Sequence, residues 1–119
     1  MQRQMMHGKI HRATVTEACI DYPGSITIDS LLMKGADILP YEKVLIANLT
    51  NGSRIESYAI PGPAGSGVIC LNGGAAKHGK VGNMVIILTF AVMSDKEAKK
   101  HKPRVVYVDC KNHIVKKVK

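Results

Sequence analysis

Tryptophan is absent from the 119 residues, phenylalanine occurs once and tyrosine four times. So few rings argue against a reader of single-stranded nucleic acid, whose affinity comes from bases stacked on aromatic platforms. Cysteine is scarce too: Cys19, Cys70 and Cys110 are odd in number, widely spaced and never in a C-x-x-C. That pattern argues against a disulfide or zinc framework and for a reducing compartment. Long apolar runs are missing. The longest, 84–93, contains Thr89 and is about half of what a bilayer-spanning helix needs. The first ten residues carry Arg3, His7 and Lys9 with no apolar stretch behind them, so no secretory leader is expected. The expectation is a cytoplasmic protein with no membrane partner. No repeat, linker or domain break is visible, and a single domain over 1–119 has a large surface for its core, which favours oligomerisation.

Charge is present but uneven. The formal net charge is +8, and from Asp95 onward nine Lys and Arg stand against three acids, leaving only +2 for residues 1–94. A Lys-rich end is ordinarily a solvated face, so specific nucleic-acid binding is not expected of it. The body reads as short Val- and Ile-rich segments separated by Gly, Pro or Asn. Lys9 to Thr16 alternates as a first strand. Val44 to Leu49 and Ile55 to Ile60 flank Asn51-Gly52, a strong hairpin signal. Val68 to Leu71, Met84 to Val92 and Val105 to Val108 complete six strands. Asp29 can cap a short helix ended by Gly35, and Ser94-x-x-Glu97 is a capping box opening a second helix before Pro103. The reading is a mainly β protein, a small closed barrel with two short capping helices, because closure removes exposed sheet edges.

Several constellations carry chemistry. Gly74-x-x-x-x-Gly79-Lys80 opens like a phosphate-binding loop, but Val81 stands where a hydroxyl is needed and a strand follows where a helix is required. His7 and His11 would share a face with Lys9 on a strand; a cation between two imidazoles is a poor metal site and a better anion site. Arg54 and Tyr58 lie four apart on one strand. An Arg can grip a carboxylate through paired hydrogen bonds, and a Tyr hydroxyl can deliver a proton. "NGGAA" at 72–76 reads as a turn whose small residues let backbone N–H groups approach an anion. "YPGSI" at 22–26 reads as a type II turn, with Pro23 and Gly24 at its centre.

Taken in order, "GKIHRATVT" (8–16), "YPGS" (22–25), "NLTNGSR" (48–54), "YAI" (58–60), "NGGAA" (72–76) and "VGNMVII" (81–87) resemble the pyruvoyl-dependent aspartate 1-decarboxylases. The resemblance covers nearly the whole chain up to Arg104. It implies a six-stranded double-psi β-barrel, a homotetramer with sites between neighbouring subunits, and a precursor that cuts itself between Gly24 and Ser25. The products would be residues 1–24 and 25–119. Ser25 would attack the Gly24 carbonyl, and Gly24 has no Cβ to obstruct the approach. Elimination and loss of ammonia would turn Ser25 into a pyruvoyl group, which forms a Schiff base with L-aspartate and acts as electron sink during loss of CO₂, with no metal and no pyridoxal phosphate. The product would be β-alanine, for pantothenate and coenzyme A.

By the same resemblance Tyr58 protonates the product carbanion, Arg54 and Lys9 hold substrate carboxylates, and Gly73, Gly74 and Ala75 present backbone donors. His11, Tyr22 and Asn72 support the site. Ser57 stands where the family often has Thr, keeping the hydroxyl but losing the β-branch that stiffens it. Such an oxyanion donor is worth about 3 kcal/mol. Gly74 replaces a more usual Ala and leaves that loop freer. Whether cleavage is spontaneous or needs a maturation factor stays open. The readings set against this one are a small basic barrel that binds nucleic acid and a homologue that has lost self-processing.

Overall fold

The computed structural model describes residues 1–116; Lys117 and Lys119 of the basic tail lie outside the described residues. Its strands are β1 (Gln2–Thr14), β2 (Glu17–Cys19), β3 (Ile26–Asp29), β4 (Lys43–Asn48), β5 (Arg54–Gly62), β6 (Ile69–Asn72), β7 (Met84–Ser94), β8 (Arg104–Val108) and β9 (Ile114–Val115). Two short helices, α1 (Ser30–Gly35) and α2 (Asp95–Lys100), complete the elements with a single 3-10 turn over Gly73–Lys77. The mainly β reading holds, and all six expected strands are present. The unforeseen ones, β2, β3 and β9, have three, four and two residues, too few for alternation to show. None of the helices is long and apolar enough to cross a membrane.

The strands hydrogen-bond in the order β2-β6-β3-β5-β4-β7-β1-β8-β9. β1 is seventh in that order and β2 first, yet only Val15 and Thr16 separate them in sequence. Laid flat, six strand spacings span about 29 Å, whereas so short a link reaches about 10 Å. The sheet therefore curls into a barrel-like body, seamed by the link rather than by a continuous ladder. At the seam the Thr16 amide donates to the Ile69 carbonyl (2.8 Å) and the Thr16 hydroxyl accepts the Ile69 N–H (2.9 Å). Buried Asn112 bonds both main-chain groups of Thr14 and the Gly67 carbonyl. Inside lie fully buried Ile10, Ile26, Ile28, Leu32, Ile69, Leu71 and Ile87, each contributing roughly 1.5–3 kcal/mol.

Local signals behave as read where they are local. The Asp29 carboxylate caps α1 at Leu31 (2.9 Å) and also accepts the Gly65 and Gly67 amides, so one buried side chain ties the 63–68 loop to the helix start. Ser94 and Glu97 form the reciprocal capping box on α2. The hairpin read around Asn51-Gly52 is present, its strands β4 and β5 antiparallel and joined by the five-residue loop 49–53, in which Asn48 Oδ1 accepts the Thr50 and Asn51 amides. Two readings need correction. "NGGAA" is a 3-10 turn rather than a simple turn. His7 does not share an anion site with His11. The register of β1 against β7 shifts between Met6 and Gly8, and His7 turns to Glu42 (Nε2 to Oε2 2.7 Å).

Candidate active site

The junction of Gly24 and Ser25 sits just before β3, where the chain turns out of β2. Pro23 closes a tight turn in which the Gly24 amide donates to the Tyr22 carbonyl (2.8 Å). This three-residue bond replaces the expected type II closure. Gly24 has φ +55° and Ser25 has φ +83°. The first is open to glycine, but the second is costly for a residue with a Cβ. Ser25 is nevertheless only 2% exposed, so the surrounding contacts must hold it there.

Those contacts come from β6, the antiparallel neighbour of β3. Its register places Thr27 opposite Cys70 and Ile26 opposite Leu71, so Ser25 meets Asn72. The Asn72 amide donates to the Ser25 carbonyl (3.0 Å). Its side-chain Nδ2 donates to Ser25 Oγ (3.0 Å) and Thr27 Oγ1 (2.9 Å). Gly73 follows with φ +58°, and a Cβ there would lie 2.5 Å from the Gly24 nitrogen and 2.7 Å from the Tyr22 carbonyl oxygen. The backbone of 22–24 packs directly on a position that only glycine can fill.

Gly24, Ser25, Ser57, Tyr58, Gly74 and Ala75 line one cleft of about 430 Å³, which Glu56 and His78 also border. That volume lies within the usual range for a small-molecule site. The Tyr58 hydroxyl donates to the Pro23 carbonyl at a long 3.5 Å, and its ring stacks on Tyr41 with centroids 6.4 Å apart. Ser57 sits opposite Val44 in the β4–β5 ladder. Tyr22, Asn72 and Gly73 touch the junction without lining the opening.

Lys9, His11 and Arg54 do not line this cleft. Lys9 is opposite Leu88, Leu88 opposite Leu45 and Leu45 opposite Glu56, so Lys9 lies three strands from β5, about 14 Å along the sheet. His11 instead borders a groove of about 510 Å³ with Arg12, Tyr107, Asp109 and Cys110. Its Nδ1 is buried with no hydrogen-bond partner among the described residues, and its ring meets Tyr107 edge-on at 5.6 Å. Burial first, then the charges of Lys9 and Arg12, push the His11 pKa below its usual range. The imidazole is therefore neutral at neutral pH. Arg54 is exposed at the start of β5, on the face shared with Tyr58 but at its far end.

Sequence reading passed over Cys70 and Thr27, whose side chains both hydrogen-bond the Asn72 side chain. Both lie two residues from a recognised site residue on a short strand, so period-two spacing was the available signal. The pairing of β3 with β6 that makes it meaningful joins residues 45 or more apart. Among the described residues no three His, Cys, Asp or Glu side chains are grouped to hold a metal ion.

Comparison with known proteins follows the same lines as the geometry. The family model described as aspartate decarboxylase matches residues 1–115. The aspartate 1-decarboxylase of Listeria monocytogenes serovar 1/2a is 60% identical over 114 residues, covering 96% of this chain and 90% of that protein. That of Carboxydothermus hydrogenoformans is 58% identical over 112 residues, 94% of this chain and 88% of its own. That of Dehalococcoides mccartyi is 55% identical over 112 residues, 94% and 90% respectively.

Proposed function

The chain belongs to the aspartate decarboxylase family, and from that membership we propose that it converts L-aspartate to β-alanine and CO₂, for pantothenate and coenzyme A synthesis, with a pyruvoyl group made from its own Ser25. The observation that carries the self-processing reading is the pair of left-handed residues at Gly24 and Ser25. For Ser25 that conformation costs about 1–3 kcal/mol, and breaking the bond between the two relieves it.

In the cut, Ser25 Oγ bonds to the Gly24 carbonyl carbon while the Gly24–Ser25 C–N bond breaks, and the hydroxyl proton passes to the freed nitrogen. Loss of the Ser25 α-proton expels the Gly24 carboxylate and leaves dehydroalanine. Water then releases ammonia and leaves the pyruvoyl group at position 25. Asn72 Nδ2, already on Ser25 Oγ, stabilises the oxygen as it gives up its proton. Ser57, in the same cleft, is the donor to the oxyanion that forms on the Gly24 carbonyl. The site fits the group, because a small planar acyl at position 25 faces Asn72 on one side and the cleft on the other.

Formed at position 25 and held against Asn72, a pyruvoyl group would supply an electrophilic carbonyl for the substrate amine and an electron sink for decarboxylation. The chain's own residues do the rest. Gly73, Gly74 and Ala75 offer backbone N–H groups to substrate, and Tyr58 at the mouth delivers the proton to the former α-carbon. Lys9 and Arg54 hold carboxylates and His11 orients them. Because the Lys9 strand is remote from the cleft within one chain, and Arg54 lies outside the cleft at the far end of β5, these residues act from a neighbouring copy, in a homotetramer with sites between subunits. Cytoplasmic residence accords with the three free thiols.

Intact mass after incubation should show two chains, residues 1–24 and 25–119, the second with a blocked N-terminus, while Ser25→Ala stays whole. Tyr58→Phe should be cut normally but turn over poorly. A chain that remains whole and releases no CO₂ from aspartate under any maturation condition would count decisively against the reading.

A further inference from the structure

Cys70 has no part in the chemistry proposed so far, yet its side chain ends on the site. The thiol is buried at 5% exposure and Sγ–H donates to Asn72 Oδ1 at 3.1 Å. The opposite end of the same amide donates to Ser25 Oγ at 3.0 Å and to Thr27 Oγ1 at 2.9 Å. The Asn72 oxygen and both N–H groups of its nitrogen are thus committed. Four polar groups from two paired strands form one chain that ends on the reacting hydroxyl.

The direction of that chain matters. With its NH₂ on Ser25, Asn72 donates to the oxygen that must become negative. Rotated half a turn, the amide would place Oδ1 against the two hydroxyls and NH₂ against sulfur, which is a weak acceptor. The Ser25 hydroxyl would then donate its proton to Oδ1, and the attacking oxygen would have lost its donor. Only a donor at position 70 opposes that rotation. Burial, and then the proximity of Glu17 and Cys19, raise the thiol pKa, so Cys70 keeps the proton it donates.

We propose that Cys70 is a positioning residue for the self-cleavage, fixing through its S–H bond the orientation in which Asn72 donates to Ser25. This rests on the reading that Ser25 is the self-processing residue.

The test follows the rate of cutting by intact mass in freshly refolded precursor, for wild type, Cys70→Ala, Cys70→Ser, Asn72→Ala and the double variant Cys70→Ala with Asn72→Ala. Losing one neutral hydrogen bond should slow Cys70→Ala by about 3–10-fold. Cys70→Ser, which keeps a donor, should stay within about twofold of wild type. In the Asn72→Ala background the Cys70→Ala change should cost nothing further, since the group it positions is gone. Additive losses, an equal loss in Cys70→Ser, or no loss in Cys70→Ala would each overturn the role of Cys70 alone. A wild type that is never cut while Ser25→Ala behaves identically overturns the self-processing reading and this proposal with it.

Discussion

Adjacent glycines at 73 and 74 have opposite tolerances, although the sequence "NGG" treats them alike. Gly73 is left-handed and its missing Cβ makes room for the Gly24 nitrogen and the Tyr22 carbonyl, whereas a Cβ on Gly74 would meet nothing within 4 Å. Gly73→Ala should therefore lose about 1–3 kcal/mol by overpacking and slow cutting, because the atoms displaced belong to the cleavage turn. Gly74→Ala should gain about 0.4–1 kcal/mol through a less free unfolded chain and be cut at the ordinary rate. Thermal melting and intact mass on the two variants decide it, and a Gly73→Ala chain that cuts as wild type would contradict the packing account. At this scale a local feature written in adjacent residues was legible, as in the turn with a left-handed Gly24 before Ser25. It was not legible at Cys70, whose importance comes from a strand partner distant in sequence.

Among the elements, β1 shows how a bulge reassigns side chains. Regular alternation would align His7 with Lys9 and His11, but the shift after Met6 sends His7 to Glu42, which also accepts from the Thr89 hydroxyl and the Leu39 amide. Burial opposes ionisation of Glu42, yet the bonds from Thr89, Leu39 and His7 outweigh it and hold the carboxyl below its ordinary value near 4.5. Between the two values the unfolded chain binds more protons than the folded one, so stability rises with pH there. The contribution is complete above about pH 4.5 and is lost as pH falls through the depressed value. Glu42→Gln should lower stability at pH 7 by about 1–2 kcal/mol and flatten the acid limb of a urea-unfolding series from pH 5 downward. A wild type and variant with parallel acid limbs would show that the cluster is not what titrates. Long strands and capped helices were visible in the sequence because their causes lie within a few residues. Bulges were not, since a register shift is a property of two strands.

For the molecule as a whole, the division of the site is the main consequence. The cleavage turn, Ser57 and Tyr58 share one cleft, and His11 borders a separate groove. If neighbouring copies bring the halves together, Lys9→Ala subunits mixed with Ser25→Ala subunits, each nearly inactive alone, should regain about a quarter of the sites in a randomly assembled oligomer. Assay of co-expressed, tagged variants measures this, and mixtures no more active than their parents would place Lys9 and Ser25 in one subunit's site. The curled sheet adds a consequence for the history of each molecule. The proposed cut would fall between β2 and β3, so the 1–24 piece would keep β1, laddered to β7 and β8, and β2, laddered to β6. Before the cut, folding is a search by one chain; afterwards, refolding needs two separate chains to meet, and the short one fills strands on both sides of the seam. An uncut chain would refold by a unimolecular search, while a cut form would recover only as fast as its pieces collide. Activation by such a cut would turn a reversible fold into one that persists mainly by not coming apart.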